Sequence, residues 1–138
     1  MTAWQRFLGF NGVGALGIGV QLTTVGVLIH GAGVNAVAAT VIGVTAAIAH
    51  NFVWHRHWTW SDRPIARGHV PRTFARFVLS NGAVSFVGNL VLVSLLVGLT
   101  AVPPLVANMI AIAACGLINY GLADRVVFRG RHGTNALV

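Results

Sequence analysis

In a chain with so few polar side chains, chemistry has to be sought where they gather, and the densest group runs from His50 to Trp60, His-Asn-Phe-Val-Trp-His-Arg-His-Trp-Thr-Trp. It holds three of the four tryptophans and three of the six histidines. Two readings fit. Tryptophan prefers a water–lipid boundary, where its ring is buried and its N–H stays wet, so Trp54, Trp58 and Trp60 read as a belt where a helix leaves a membrane. Arginine presents a planar fork of donors to phosphate, so Arg56, together with Arg6, Arg76 and Arg125, reads as an anion site at one mouth of a bundle, with Trp54, His55 and Trp58 beside it. A metal site is not expected. His50, His55 and His57 do not share a helical face, no carboxylate or thiol lies beside them, and zinc needs three or four converging ligands. Nor is the chain expected to be an enzyme or to hold a cofactor. Its two acids, Asp62 and Asp124, stand far apart in sequence, and it has no phosphate-cradling Gly-rich loop and no nucleophile elbow.

The remaining candidates are amides and hydroxyls inside apolar runs. Asn81, Ser85 and Asn89 recur at i, i+4, i+8, and Asn108, Cys115 and Asn119 at i, i+7, i+11, so each set falls on one helical face. Asn11, Gly14 and Gln21 mark an earlier run, and Thr40, Gly43 and Asn51 the next. Polar groups at membrane depth avoid lipid, so these stripes are expected to face one another. They then serve as interhelical hydrogen bonds or, for Asn51 and Asn119 beside arginines, as contacts to a ligand.

The elements that must position these residues are membrane spans. The 138 residues are 56% hydrophobic and only 8% charged, with nine arginines and no lysine, which excludes an ordinary soluble domain and makes a nucleic-acid surface an unneeded explanation of the +7 net charge. Spans are expected at about 7–29, 35–55, 74–99 and 105–123, each long enough to cross about 30 Å of hydrocarbon. The glycines of the first span imply tight helix packing. Pro64 and Pro71 are expected to break the basic linker on both sides, and the tail after Arg131 is expected to be disordered. All nine arginines fall on one side of a four-span chain, which puts both termini and the linker in the cytoplasm. Cys115, the one cysteine, lies in an apolar run and reads as a buried, inert thiol.

The halves of the chain repeat. Arg6-Phe7 and Asn11-Gly12 recur as Arg76-Phe77 and Asn81-Gly82, and Asn51-Phe52 with its closing Trp60 recurs as Asn119-Tyr120 with Phe128. The expected fold is therefore an all-α membrane protein of four transmembrane helices, built as two parallel-repeat hairpins at about 4–60 and 74–128 within one domain. Each half opens with Arg-Phe and a Gly-rich helix and closes with Asn-Phe-x-x-x-Arg-x-Trp-Thr-aromatic or a weaker copy. In this the chain resembles the GtrA-like family of small four-span membrane proteins over nearly its whole length. The resemblance implies a part in making cell-surface polysaccharide at the cytoplasmic membrane: translocating a polyprenyl-phosphate-linked sugar, or recruiting a glycosyltransferase to that lipid. On the first reading Arg6, Arg56, Arg76 and Arg125 hold the phosphate and Asn51, Asn81, Asn89 and Asn119 bond the sugar. Four spans enclose little volume, so a homo-oligomer is expected. Family members often carry an acid in the first span, where this chain has Gly19.

Overall fold

The computed structural model describes residues 1–100 and 102–129. Every regular element among them is helical, and four helices are long and apolar enough to cross a membrane: Ala3–Gly31, Ala36–Thr59, Arg67–Leu99 and Pro104–Val127. Each overruns the expected apolar stretch at one or both ends, because hydropathy registers only the part of a helix that lies in hydrocarbon. Helical hydrogen bonding goes on into the interfacial layers. The tail from Gly130, expected to lack order, and Arg131 with it, lie outside the described residues. Contacts divide the chain into two units, Met1–Pro64 and Ile65–Val138.

In the first unit, α1 (Ala3–Gly26) starts from a capping box. The Thr2 hydroxyl accepts from the Gln5 amide at 3.2 Å while the Gln5 side chain accepts from the Thr2 amide at 2.9 Å. The helix widens into a π turn at Val27–Gly31, and Gly33 reverses the chain at a φ of 65°, a backbone region that favours glycine. Asn35 then caps α2 (Ala36–Trp54), its side chain accepting from Ala38 N at 2.9 Å. A second π turn, His55–Thr59, follows.

The two helices meet along small residues. On α1 the buried positions are Arg6, Gly9, Val13 and Gly17. On α2 they are Ala39, Gly43, Ala47 and Phe52, the first three continued along the seam by the half-buried Asn51 and the buried His55 and Thr59. At Gly43 the backbones approach closely: a Cβ there would lie 3.0 Å from the Gln21 carbonyl oxygen and 2.7 Å from the Val25 side chain. This is the small-xxx-small seam that lets helices approach in lipid, where no hydrophobic effect drives them together.

In the second unit a short 3-10 turn, Arg67–His69, leads into α3 (Val70–Ala83). Pro71 lies in the first turn of this helix, where its missing N–H is harmless and its fixed φ suits a helix start. It begins the third span instead of blocking it, so the non-helical linker is shorter than the proline pair suggested. After a π turn at Val84–Gly88 the span continues as α4 (Asn89–Leu99). α5 (Pro104–Leu122) likewise opens on a proline and ends in a π turn, Ala123–Val127. Its buried positions are Ala107, Ala111, Cys115 and Asn119, continued by Ala123 and Val127. α4 and the π turn before it pack against this seam, with Gly88 so close that a Cβ there would lie 3.0 Å from Cys115 Sγ.

Both seams step by four residues. At about 100° per residue an α-helix drifts about 40° with each such step, so the stripe walks around the helix. A π turn, which fits one extra residue into its loop, takes back part of that drift and keeps Thr59 and Val127 on the packed face. Large apolar side chains such as Leu22, Phe86 and Leu99 stay exposed within these spans, as hydrocarbon surroundings permit.

Candidate functional site

At the end of α2 the π turn does more than carry the seam. It lets Trp60 N donate to His55 O at 2.8 Å, which turns Trp60 inward until it is fully buried. Trp60 is therefore core and leaves the interfacial belt to Trp54 and Trp58. The His55 imidazole is sandwiched. Phe10 of α1 lies flat against it, 4.8 Å between centroids and 10° from parallel, and Trp60 meets it edge-on at 5.2 Å. Its Nδ1 shares a 3.0 Å hydrogen bond with the buried Thr59 hydroxyl. A polar pair is thus enclosed by aromatic rings, and this placement of His55 takes it away from any exposed ligand.

Arg6 is also engaged. Its guanidinium, 10% exposed, donates to Asp62 Oδ2 at 2.7 Å, tying the start of α1 to the segment after the π turn. Asp62, one of only two acids in the chain, is the natural partner for a buried cation, a pairing that the sequence spacing does not announce. Arg56, in contrast, is half-buried and makes no ion pair among the described residues.

One turn before, Asn51 accepts from His50 Nδ1 at 3.2 Å and rests against α1 where Gly17 leaves room; a Cβ on Gly17 would come within 2.2 Å of its amide oxygen. His50, Trp54 and Trp58 form a ladder at i, i+4, i+8, with ring centroids 6.1 and 6.2 Å apart, and the two indoles are nearly half exposed. The first unit thus brings Asn51 together with His50, and Trp54 with Trp58. Gly17 and Phe10, which position Asn51 and His55, carried no signal beyond the glycine-rich and aromatic character of the first span.

In the second unit Asn119 occupies the matching seam position, 68 residues on. Its Nδ2 donates to Ser85 Oγ at 2.9 Å, while the buried Oδ1 accepts no hydrogen bond among the described residues. Among the described residues this is the one interhelical bond made by the expected polar stripes. Asn81 turns back to Phe77 O at 3.2 Å, as Asn11 and Thr40 turn back to carbonyls of their own helices, and Asn89 is half-buried. Asn108 is exposed: the seam runs through Ala107 and Ala111, one position away. Phe128 N repeats the π-turn bond, donating to Ala123 O at 2.8 Å, and Phe128 packs edge-on against Phe77 at 6.1 Å. Arg76 and Arg125 are exposed and make no ion pair among the described residues.

These groups can accept and donate hydrogen bonds within an apolar span and present cations at its polar end. Among the described residues no three His, Cys, Asp or Glu side chains converge as metal ligands would. With four such spans the chain is a multi-pass membrane protein. No curated protein matches it. The family model described as "GtrA/DPMS, transmembrane domain" matches residues 9–128, and the chain belongs to that family.

Proposed function

We propose that the protein carries a polyprenyl-phosphate-linked sugar across the cytoplasmic membrane. The family match supports the broader role, a membrane protein of glycosyl-carrier-lipid sugar metabolism. The observation that carries the finer reading is the matched placement of Asn51 and Asn119, amides on two seams otherwise built of small residues inside apolar spans. An amide kept in a membrane interior suits a hydroxyl-rich ligand, and the Asn119 oxygen has acceptor capacity to spare. On this reading each unit offers a cation to the phosphate at its own polar end, Arg56 in the first and Arg125 in the second, while Arg6 orders the first unit through Asp62 and Trp54 and Trp58 cover the sugar ring or the prenyl chain. The shared seam spacing supports a duplicated hairpin, the one-sided arginines support termini in the cytoplasm, and a homo-oligomer supplies the volume that four spans lack.

The test is reconstitution in liposomes carrying a polyprenyl-phosphate sugar, following how fast the sugar becomes accessible on the opposite face. The wild-type chain should accelerate it. Asn119→Ala should slow it about tenfold, the rate equivalent of one lost hydrogen bond. Arg67→Gln should leave it unchanged. No acceleration by well-folded protein would replace this reading with that of a scaffold for a glycosyltransferase.

A further inference from the structure

The third span is the longest of the four. Its 33 residues, Arg67–Leu99, reach about 50 Å at 1.5 Å per residue, whereas hydrocarbon is about 30 Å thick and the bilayer with headgroups about 40–45 Å. The excess length has to lie in a polar layer at one end. The α4 end is apolar throughout, with Leu95, Val97 and Leu99 exposed, so the opening turns of α3 are the part at headgroup level. There the helix is two-faced. Phe77 is buried and Phe74 half-buried, while His69, Arg72 and Arg76 are all exposed. At about 100° per residue those three fall within an arc of about 60°, and the two guanidinium stems start about 6 Å apart along the axis. None of the three makes an ion pair among the described residues.

The opening of α1 makes the ridge conspicuous by contrast. Its one cation, Arg6, is buried and bound to Asp62. A span start needs no exposed unpaired arginines to be stable, and beyond their part in setting topology Arg72 and Arg76 are free to meet an anion at headgroup height.

We propose that His69, Arg72 and Arg76 form a docking ridge for the phosphate of an anionic glycerophospholipid in the adjoining leaflet. Charge complementarity and depth select this occupant: two permanent cations stand at headgroup height, and the apolar flank that continues from them, through Leu79 and Phe86, suits acyl chains. The ridge is independent of whether a sugar is transported. It holds a bulk lipid and sets the height of the third span in the bilayer.

The experiment is native mass spectrometry of the purified full chain in mixed micelles containing equal phosphatidylglycerol and phosphatidylcholine. Wild type should retain phosphatidylglycerol selectively, and Arg72→Gln and Arg76→Gln should each lower that selectivity about fivefold, the double variant by about 25-fold. Arg67→Gln, which removes an equal charge from another side of the same helix start, should change it by less than twofold, and Arg72→Lys/Arg76→Lys should keep most of it. Absence of selectivity in wild type, full retention by the double glutamine variant, or an equal loss in Arg67→Gln would each overturn the ridge. Displacement of the lipid by millimolar inorganic phosphate would overturn it in favour of a soluble anion. If the double variant fails to assemble, the two single variants decide by the same criterion.

Discussion

The two units run the same seam with different contents. Ala39, Gly43, Ala47, Asn51, His55 and Thr59 in the first stand against Ala107, Ala111, Cys115, Asn119, Ala123 and Val127 in the second, and both end in a π turn that buries an aromatic ring. Where they differ, the first unit is polar and tied down. It encloses a His–Thr pair, and it buries an arginine against an acid. The second is apolar at the same places, Ala123 and Val127, and among its described polar groups are an amide bonded to a serine and exposed arginines. The lesson is that seam geometry is fixed by small residues, while the groups at its polar end are free to serve either cohesion or contact. In this chain the first unit puts Arg6, His55 and Thr59 into cohesion, and the second leaves Arg76 and Arg125 exposed.

The contrast can be tested unit by unit because the reporters are already segregated. All four tryptophans lie in the first unit and the single cysteine, buried, in the second. Indole fluorescence and Cys115 thiol reactivity during denaturation in detergent therefore follow the two units separately. The largest effect is expected from Gly43→Ala, which drives a methyl toward a backbone carbonyl and should lower the stability read by fluorescence by about 1–3 kcal/mol. The matched Ala111→Gly, read by thiol exposure, should cost about 1 kcal/mol from helix propensity alone. A cost at Ala111 well above 1 kcal/mol would mean that the second seam also depends on the packing of that methyl.

Asp62→Asn should come next. It leaves Arg6 buried without its countercharge, which for a wholly buried pair costs about 3–5 kcal/mol. Asp62 is 45% exposed, so screening should reduce this to about 1–2 kcal/mol, again on the fluorescence signal and not on Cys115. Thr59→Val gives the first unit the residue the second has, and should destabilise it by about 1 kcal/mol by removing the partner of His55. A gain in stability would show the polar pair is kept for a reason other than cohesion. Smallest is Asn119→Ala, about 0.6 kcal/mol on thiol exposure, since interhelical hydrogen bonds in membranes are weak. A much larger loss would recast Asn119 as structural and weaken its assignment to a ligand.

The four spans were legible in the sequence because burial in lipid demands long apolar runs, and nothing else in a chain this short mimics them. Their ends were not. The helices overrun hydropathy by up to seven residues at Arg67, and Pro71 reads as a breaker until its position in the first turn is known. At the site, Asn51 and Asn119 were found from their matched spacing. Asn108 falls outside the stripe its spacing suggests, because an ideal helix period cannot anticipate a seam that steps by four and drifts around the helix. Trp60 shows the same limit. Composition suggested an interfacial tryptophan, and one extra residue in the helix turned it into core. Arg6 was read as a ligand-facing cation, whereas its partner lay 56 residues away in a segment with no pattern of its own.

The π turns also bear on how the chain tolerates insertions and deletions. A π turn is the trace an extra residue leaves in a helix, so each of the four marks a place where chain length can change by one without breaking the span. Removing His57, exposed on the loop of one of them, should let α2 run on as a regular helix and swing Trp60 out of its packed position by about 100°. Shortening the chain by a single residue there would exchange a core tryptophan for one turned out of the seam.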